Sequence, residues 1–101
     1  MAETSPWIAI VDDDPAVLRA LSRLLRSRAF RVNTYGSGQE FLAALPDGLP
    51  ECLIVDLQMP EMNGLELQQH LISNCIAIPT ILITAHGDAT IDSPPAPEIR
   101  L

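Results

Sequence analysis

Four aspartates stand where two apolar stretches of the chain end. Trp7-Ile8-Ala9-Ile10-Val11 runs into Asp12, Asp13 and Asp14, and Cys52-Leu53-Ile54-Val55 runs into Asp56. A third stretch, residues 80–83, ends on the hydroxyl of Thr84. If these ends meet, their carboxylates repel one another, and burial deepens the cost. A hard cation resolves the conflict, since Mg²⁺ takes carboxylate, carbonyl and water oxygens and commonly binds through one or two carboxylates plus phosphate. In such a pocket, built by Asp12 and Asp13, Asp56 is a nucleophile toward a phosphoryl group. Its product is a mixed anhydride, with the cation neutralising the developing charge. Thr84 can donate its hydroxyl to a phosphoryl oxygen.

A plainer reading competes. An aspartate after a strand often caps the next helix, and Asp14 before Pro15 has that form. Asp12 and Asp13 can share the duty. Asp56 fits it less well, because Leu57-Gln58-Met59-Pro60 follows and the next cap is Asn63.

The elements that would bring these ends together are legible. Residues 7–11 form a continuous apolar run, as expected of a strand buried on both faces of a parallel sheet. Val17, Leu18, Leu21, Leu24 and Leu25 recur at helical spacing, opposite Arg19, Ser22, Arg23 and Arg26, which predicts an amphipathic helix over roughly 15–28. Residues 31–35 read as a short strand. Ser37 and Glu40 have capping-box spacing ahead of Phe41, Leu42 and Leu45, and Pro46-Asp47-Gly48 should stop that helix. Residues 52–55 and 80–83 read as strands, and Asn63 with Glu66 opens a helix carrying Leu65, Leu67 and Leu71. Strands alternating with helices at short spacing imply right-handed βαβ units and a parallel sheet. Ligands of such sheets bind outside the carboxyl ends of the strands, where the acids stand.

Composition narrows the classes. The 101 residues suffice for one small domain, and a 48% hydrophobic content supports a real core. A net charge of −7 argues against non-specific nucleic-acid binding and against anionic membranes. The N-terminus lacks a signal peptide's apolar run, and no stretch is long enough to span a bilayer. Cys52 and Cys75 show no metal or redox spacing. A cytoplasmic chain with free thiols is expected. His70 reads as a polar-face residue late on the third helix, and His86, bordering the pocket, has no Ser or Cys nucleophile paired with it at motif level.

Three motifs, Val11-Asp12-Asp13-Asp14-Pro15, Val55-Asp56-Leu57-Gln58-Met59-Pro60-Glu61-Met62-Asn63-Gly64 and Ile83-Thr84-Ala85-His86-Gly87, stand in order. Together they resemble a bacterial response-regulator receiver domain, with wording nearest to receivers of FixJ-like transcriptional regulators. The similarity covers about residues 7–88. It implies an α/β, flavodoxin-like, doubly wound parallel sheet. It also implies Asp56 as phosphoacceptor, with Mg²⁺ held by Asp13, Asp56 and the main-chain carbonyl of Gln58, and by Asp12 through water. Thr84 would be the switch hydroxyl, Ala85 would leave the site open, and a histidine kinase would be the phosphoryl donor.

One departure is specific. A complete receiver adds a fourth helix, a fifth strand and a fifth helix, and carries a lysine after that strand; this sequence has no lysine at all. The expectation is a C-terminally truncated receiver of about four strands, order 2-1-3-4, and three helices. It would occupy residues 6–90, with a proline-rich extended tail over 91–101. Loss of the later elements should impair phosphorylation and signalling, bare part of the Leu18/Leu21/Leu25 stripe, and leave residues 80–83 as an edge open to self-association. No direct nucleic-acid or membrane partner is expected, and the chain is expected not to be an enzyme.

The leading alternative is a non-phosphorylatable pseudo-receiver acting as a protein-interaction module, for which Arg19, Arg23 and Arg26 offer a basic helix face. A Mg²⁺-dependent phosphohydrolase would want an aspartate where Gln58 stands. A dinucleotide site would want a third glycine where Phe41 follows Gly36-Ser37-Gly38.

Overall fold

The computed structural model of the chain describes residues 6–84. Strand β1 spans Trp7–Val11, helix α1 Pro15–Arg26, β2 Arg31–Tyr35, α2 Gly38–Ala44, β3 Cys52–Asp56, α3 Gly64–Ser73 and β4 Thr80–Ile83, with a 3₁₀ turn over Leu45–Asp47 after α2. All pairings are parallel, in the order β2-β1-β3-β4. That is the anticipated flavodoxin-like arrangement of four strands and three helices. The anticipated boundary at residue 90, the tail over 91–101, Ala85 and His86 lie outside the described residues.

Alternation along the strands sorts the core into two layers. Ala9, Val11, Leu53, Val55 and Leu82 face α2 and α3, packing on Phe41, Leu67 and Leu71. Ile8, Ile10, Val32, Ile54 and Ile83 face the other way, under Leu18, Leu21 and Leu25 of α1. No α1 residue is fully buried, and those three leucines are half-buried. Both faces of β1 and β3 are covered, which explains their unbroken apolar runs.

Local chemistry sets the helix ends. Asp14 caps α1, its carboxylate accepting from the Ala16 N–H at 2.9 Å. Helix α1 stops two residues earlier than its periodicity suggests, because Ala29 turns left-handed at φ 72°. The Phe30 N–H then closes back onto Leu25 O at 3.1 Å. Ser37 caps α2 through the Glu40 N–H, but Glu40 Oε1 accepts from Gly36 N–H at 3.0 Å, one residue upstream of the usual box partner. The box at α3 is complete: Asn63 Oδ1 accepts from Glu66 N–H at 2.8 Å, and Glu66 Oε1 from Asn63 N–H at 2.9 Å. Among the described residues no helix is long and apolar enough to cross a membrane.

Candidate functional site

Parallel pairing of β1 with β3, in register Val11 with Val55, delivers Asp12 and Asp56 side by side at the carboxyl rim of the sheet. Asp12 is 1% exposed and Asp56 3%, the two buried polar residues among the described ones. One oxygen each from Asp12, Asp13 and Asp56 lies within 4.8 Å of the others. The three sequence-predicted carboxylates are therefore one cluster, drawn from two separate βα units.

Each member is held differently. The Asp12 N–H donates to Tyr35 O at 3.1 Å, tying it to the end of β2. Its Oδ1 accepts from the Asp14 N–H at 2.9 Å, while Oδ2 is buried without a hydrogen-bond partner among the described residues. Asp13 is exposed at the mouth. Asp14 turns away to cap α1, as the plainer reading had it, so the run of three aspartates divides its labour.

Asp56 is the last residue of β3, and its register partner is Ile83. Its Oδ1 accepts from the Gln58 N–H at 3.1 Å, which orients the carboxylate. The Leu57 N–H donates to Ile83 O at 2.8 Å, continuing the ladder past the acid. Thr84 follows Ile83 directly and is half-buried, at the same rim. Gln58 is exposed.

Electrostatics follow from this packing. Burial pushes the Asp12 carboxyl up from 3.8 to about 6; the Asp14 N–H pulls it partly back, and the charges of Asp56, Asp13 and Asp14 push it up again. An orphaned, buried oxygen beside two further carboxylates is what a hard, oxygen-seeking cation would satisfy. The residues present fit such an ion.

Gly64, which with Pro60 fits the resemblance's turn between Asp56 and the third helix, contributes through its backbone. A Cβ on Gly64 would stand 2.6 Å from the Asp56 carbonyl oxygen and 3.2 Å from Leu82 Cδ2. Only glycine lets the first turn of α3 approach the acid's own backbone. A glycine inside a helix's first turn, directly after its cap, was the available signal. His70 is exposed in the last turn of α3, away from these carboxylates in the chain.

Comparisons with known proteins agree with the geometry. The family model described as response regulator receiver domain matches residues 8–93. The response regulator protein TmoT of Ectopseudomonas mendocina is 48% identical over 88 residues, covering 87% of this chain and 40% of TmoT. The chain thus spans about two fifths of the length of that relative. A crystal structure of FixJ-N superposes with TM-score 0.76 at 40% identity, covering 85% of this chain and 69% of that one. The response regulator TrrA of Thermotoga maritima, solved in complex with Mg²⁺-BeF, superposes with TM-score 0.74 at 28% identity, covering 82% of this chain and 72% of TrrA.

The family match also corrects one expectation from the motifs, that the chain is not an enzyme. Domains of the matched family accept phosphoryl groups on an aspartate, a covalent step on the domain's own side chain, so a flat exclusion of catalysis does not hold.

Proposed function

The chain belongs to the response regulator receiver domains of two-component signalling, and we propose that Asp56 is its phosphoacceptor, served by Mg²⁺ and a histidine kinase in the cytoplasm. The observation that carries this reading is the buried carboxylate cluster, with oxygens of Asp12, Asp13 and Asp56 within 4.8 Å. Asp12, Asp13, Asp56 and the main-chain carbonyl of Gln58 would hold the ion. When bound, it supplies positive charge that offsets both the clustered carboxylates and an incoming phosphoryl group.

The protein's own residues do the rest. An Asp56 oxygen forms a bond to phosphorus as the bond from phosphorus to the donor's imidazole nitrogen breaks, and that nitrogen keeps the electron pair. The Gln58 N–H fixes the carboxylate's orientation through Oδ1. Thr84, one residue past the register partner of Asp56, donates its hydroxyl to a phosphoryl oxygen. The relative TrrA was solved with Mg²⁺-BeF, in which BeF stands in for a phosphoryl group, and that precedent supports the same chemistry here. A pseudo-receiver is not favoured, because the acidic set is complete.

Acetyl phosphate with Mg²⁺ is the direct test. Intact-mass measurement is expected to show a gain of one phosphate that disappears in Asp56→Asn and without Mg²⁺. A gain that survives Asp56→Asn would sink the assignment.

A further inference from the structure

Five of the six arginines, Arg19, Arg23, Arg26, Arg28 and Arg31, fall within residues 19–31, where no acid stands, in a chain of net charge −7. All five are exposed. Arg26 and Arg31 border a groove of about 560 Å³ beside β2, which Trp7, Tyr35 and Ala44 also line, with Asp47 as its one acid among the described residues. Among the described residues β2 pairs with β1 alone, so its second side is open.

The backbone shows which groups face that side. Tyr35 O accepts from Asp12 N–H, toward β1, and successive strand residues alternate, so Val32 and Thr34 direct their backbone groups outward. Arg26 Nη2 donates to Val32 O at 2.9 Å, covering one outward carbonyl with a side chain. Such covering is how natural sheets protect an edge.

We propose that this groove docks an extended acidic segment of a partner protein, added as a strand on the free side of β2. A strand placed there sends alternate side chains to the two faces of the sheet. One set meets Trp7, Tyr35 and Ala44; the other meets Arg26 beside α1. The matching segment alternates apolar and acidic residues. Arg26 exchanges Val32 O for a carboxylate, and an N–H of the segment takes over Val32 O, so no hydrogen bond is lost. A long polyanion such as nucleic acid is repelled by the rest of an acidic chain, whereas a short segment feels the local positive field. Trp7 opens β1, and although Tyr35 carries the groove up to the residue bonded to the Asp12 N–H, none of the proposed contacts is to Asp12, Asp13 or Asp56. The inference therefore stands independently of phosphorylation at Asp56.

Trp7 is the only tryptophan, so its emission reports on the groove. A blocked peptide alternating Glu and Val is expected to shift that emission saturably, and the same peptide with Lys for Glu is not. Arg26→Ala should weaken binding by roughly tenfold, the equivalent of one good charge pair. Thr34→Pro, which removes an N–H pointing away from β1, should abolish it with the fold retained. If Thr34→Pro does not melt cooperatively, Arg31→Ala serves instead, with the same expected direction. No shift, equal binding of the Lys peptide, unchanged binding in the folded variants, or binding of a thymidine oligonucleotide in place of the peptide would each overturn the proposal.

Discussion

Gly64 packs directly against the backbone of Asp56, close enough that a methyl group on it would stand 2.6 Å from the Asp56 carbonyl oxygen. The start of α3 and the end of β3 are thereby locked together at the acid. Gly64→Ala must move one or the other, because the obstruction is main chain and cannot swing aside. A loss of about 1–3 kcal/mol is expected, typical of overpacking. Urea denaturation followed by circular dichroism checks it, and an unchanged midpoint would contradict the contact.

Asp12 predicts a pH dependence of stability. Its folded carboxyl is raised from 3.8 to about 6, so between those values the folded state binds more protons than the unfolded one. Stability conferred by the protonated form is complete below about 4 and declines as pH climbs to about 6, by about 3 kcal/mol at most. Melting scans without divalent ions should show this decline superposed on the other titrations. Asp12→Asn should flatten that component and be the more stable protein at neutral pH.

Divalent ions should act on the same cluster from the other direction. An ion that binds only the folded state stabilises it by about 2.7 kcal/mol at a hundredfold excess over its dissociation constant. Melting temperature is expected to rise with Mg²⁺ at neutral pH and to fall back with chelator. Asp13→Asn should remove most of that response while barely changing the metal-free midpoint, since Asp13 is exposed.

Ala29 offers a stabilising change. It holds φ 72° where α1 ends, a conformation costing an L-residue about 1–2 kcal/mol. Ala29→Gly relieves that strain but leaves a freer unfolded chain, so a net gain of about 0.5–1 kcal/mol is expected. Thermal melting should place the variant above the parent.

What the sequence revealed was local or periodic. The apolar runs of β1 and β3 ended on Asp12 and Asp56 in plain view, and the caps at Asp14, Ser37 and Asn63 needed only near neighbours. With the rule that parallel strands gather their carboxyl ends, this was enough to assemble the carboxylate trio. The left-handed turn at Ala29 was hidden, because alanine carries no signal for it and the leucine spacing continued past it. Glu40 reaching Gly36 instead of Ser37 is a choice between two neighbouring donors that spacing cannot separate. The approach of Gly64 to Asp56 and the bond from Arg26 to Val32 O join chain segments whose proximity only the assembled sheet determines.

The adjacency of β1 and β3 has a kinetic consequence. Zipping these two strands in register forces like charges toward a common point, so the final rungs of that ladder close against repulsion. Refolding should slow as this step becomes limiting, and a trace of divalent salt should speed it in a way that monovalent salt at equal ionic strength does not. A divalent ion that offset these charges would act on the pairing of β1 with β3, the paired strands farthest apart in sequence among the described residues.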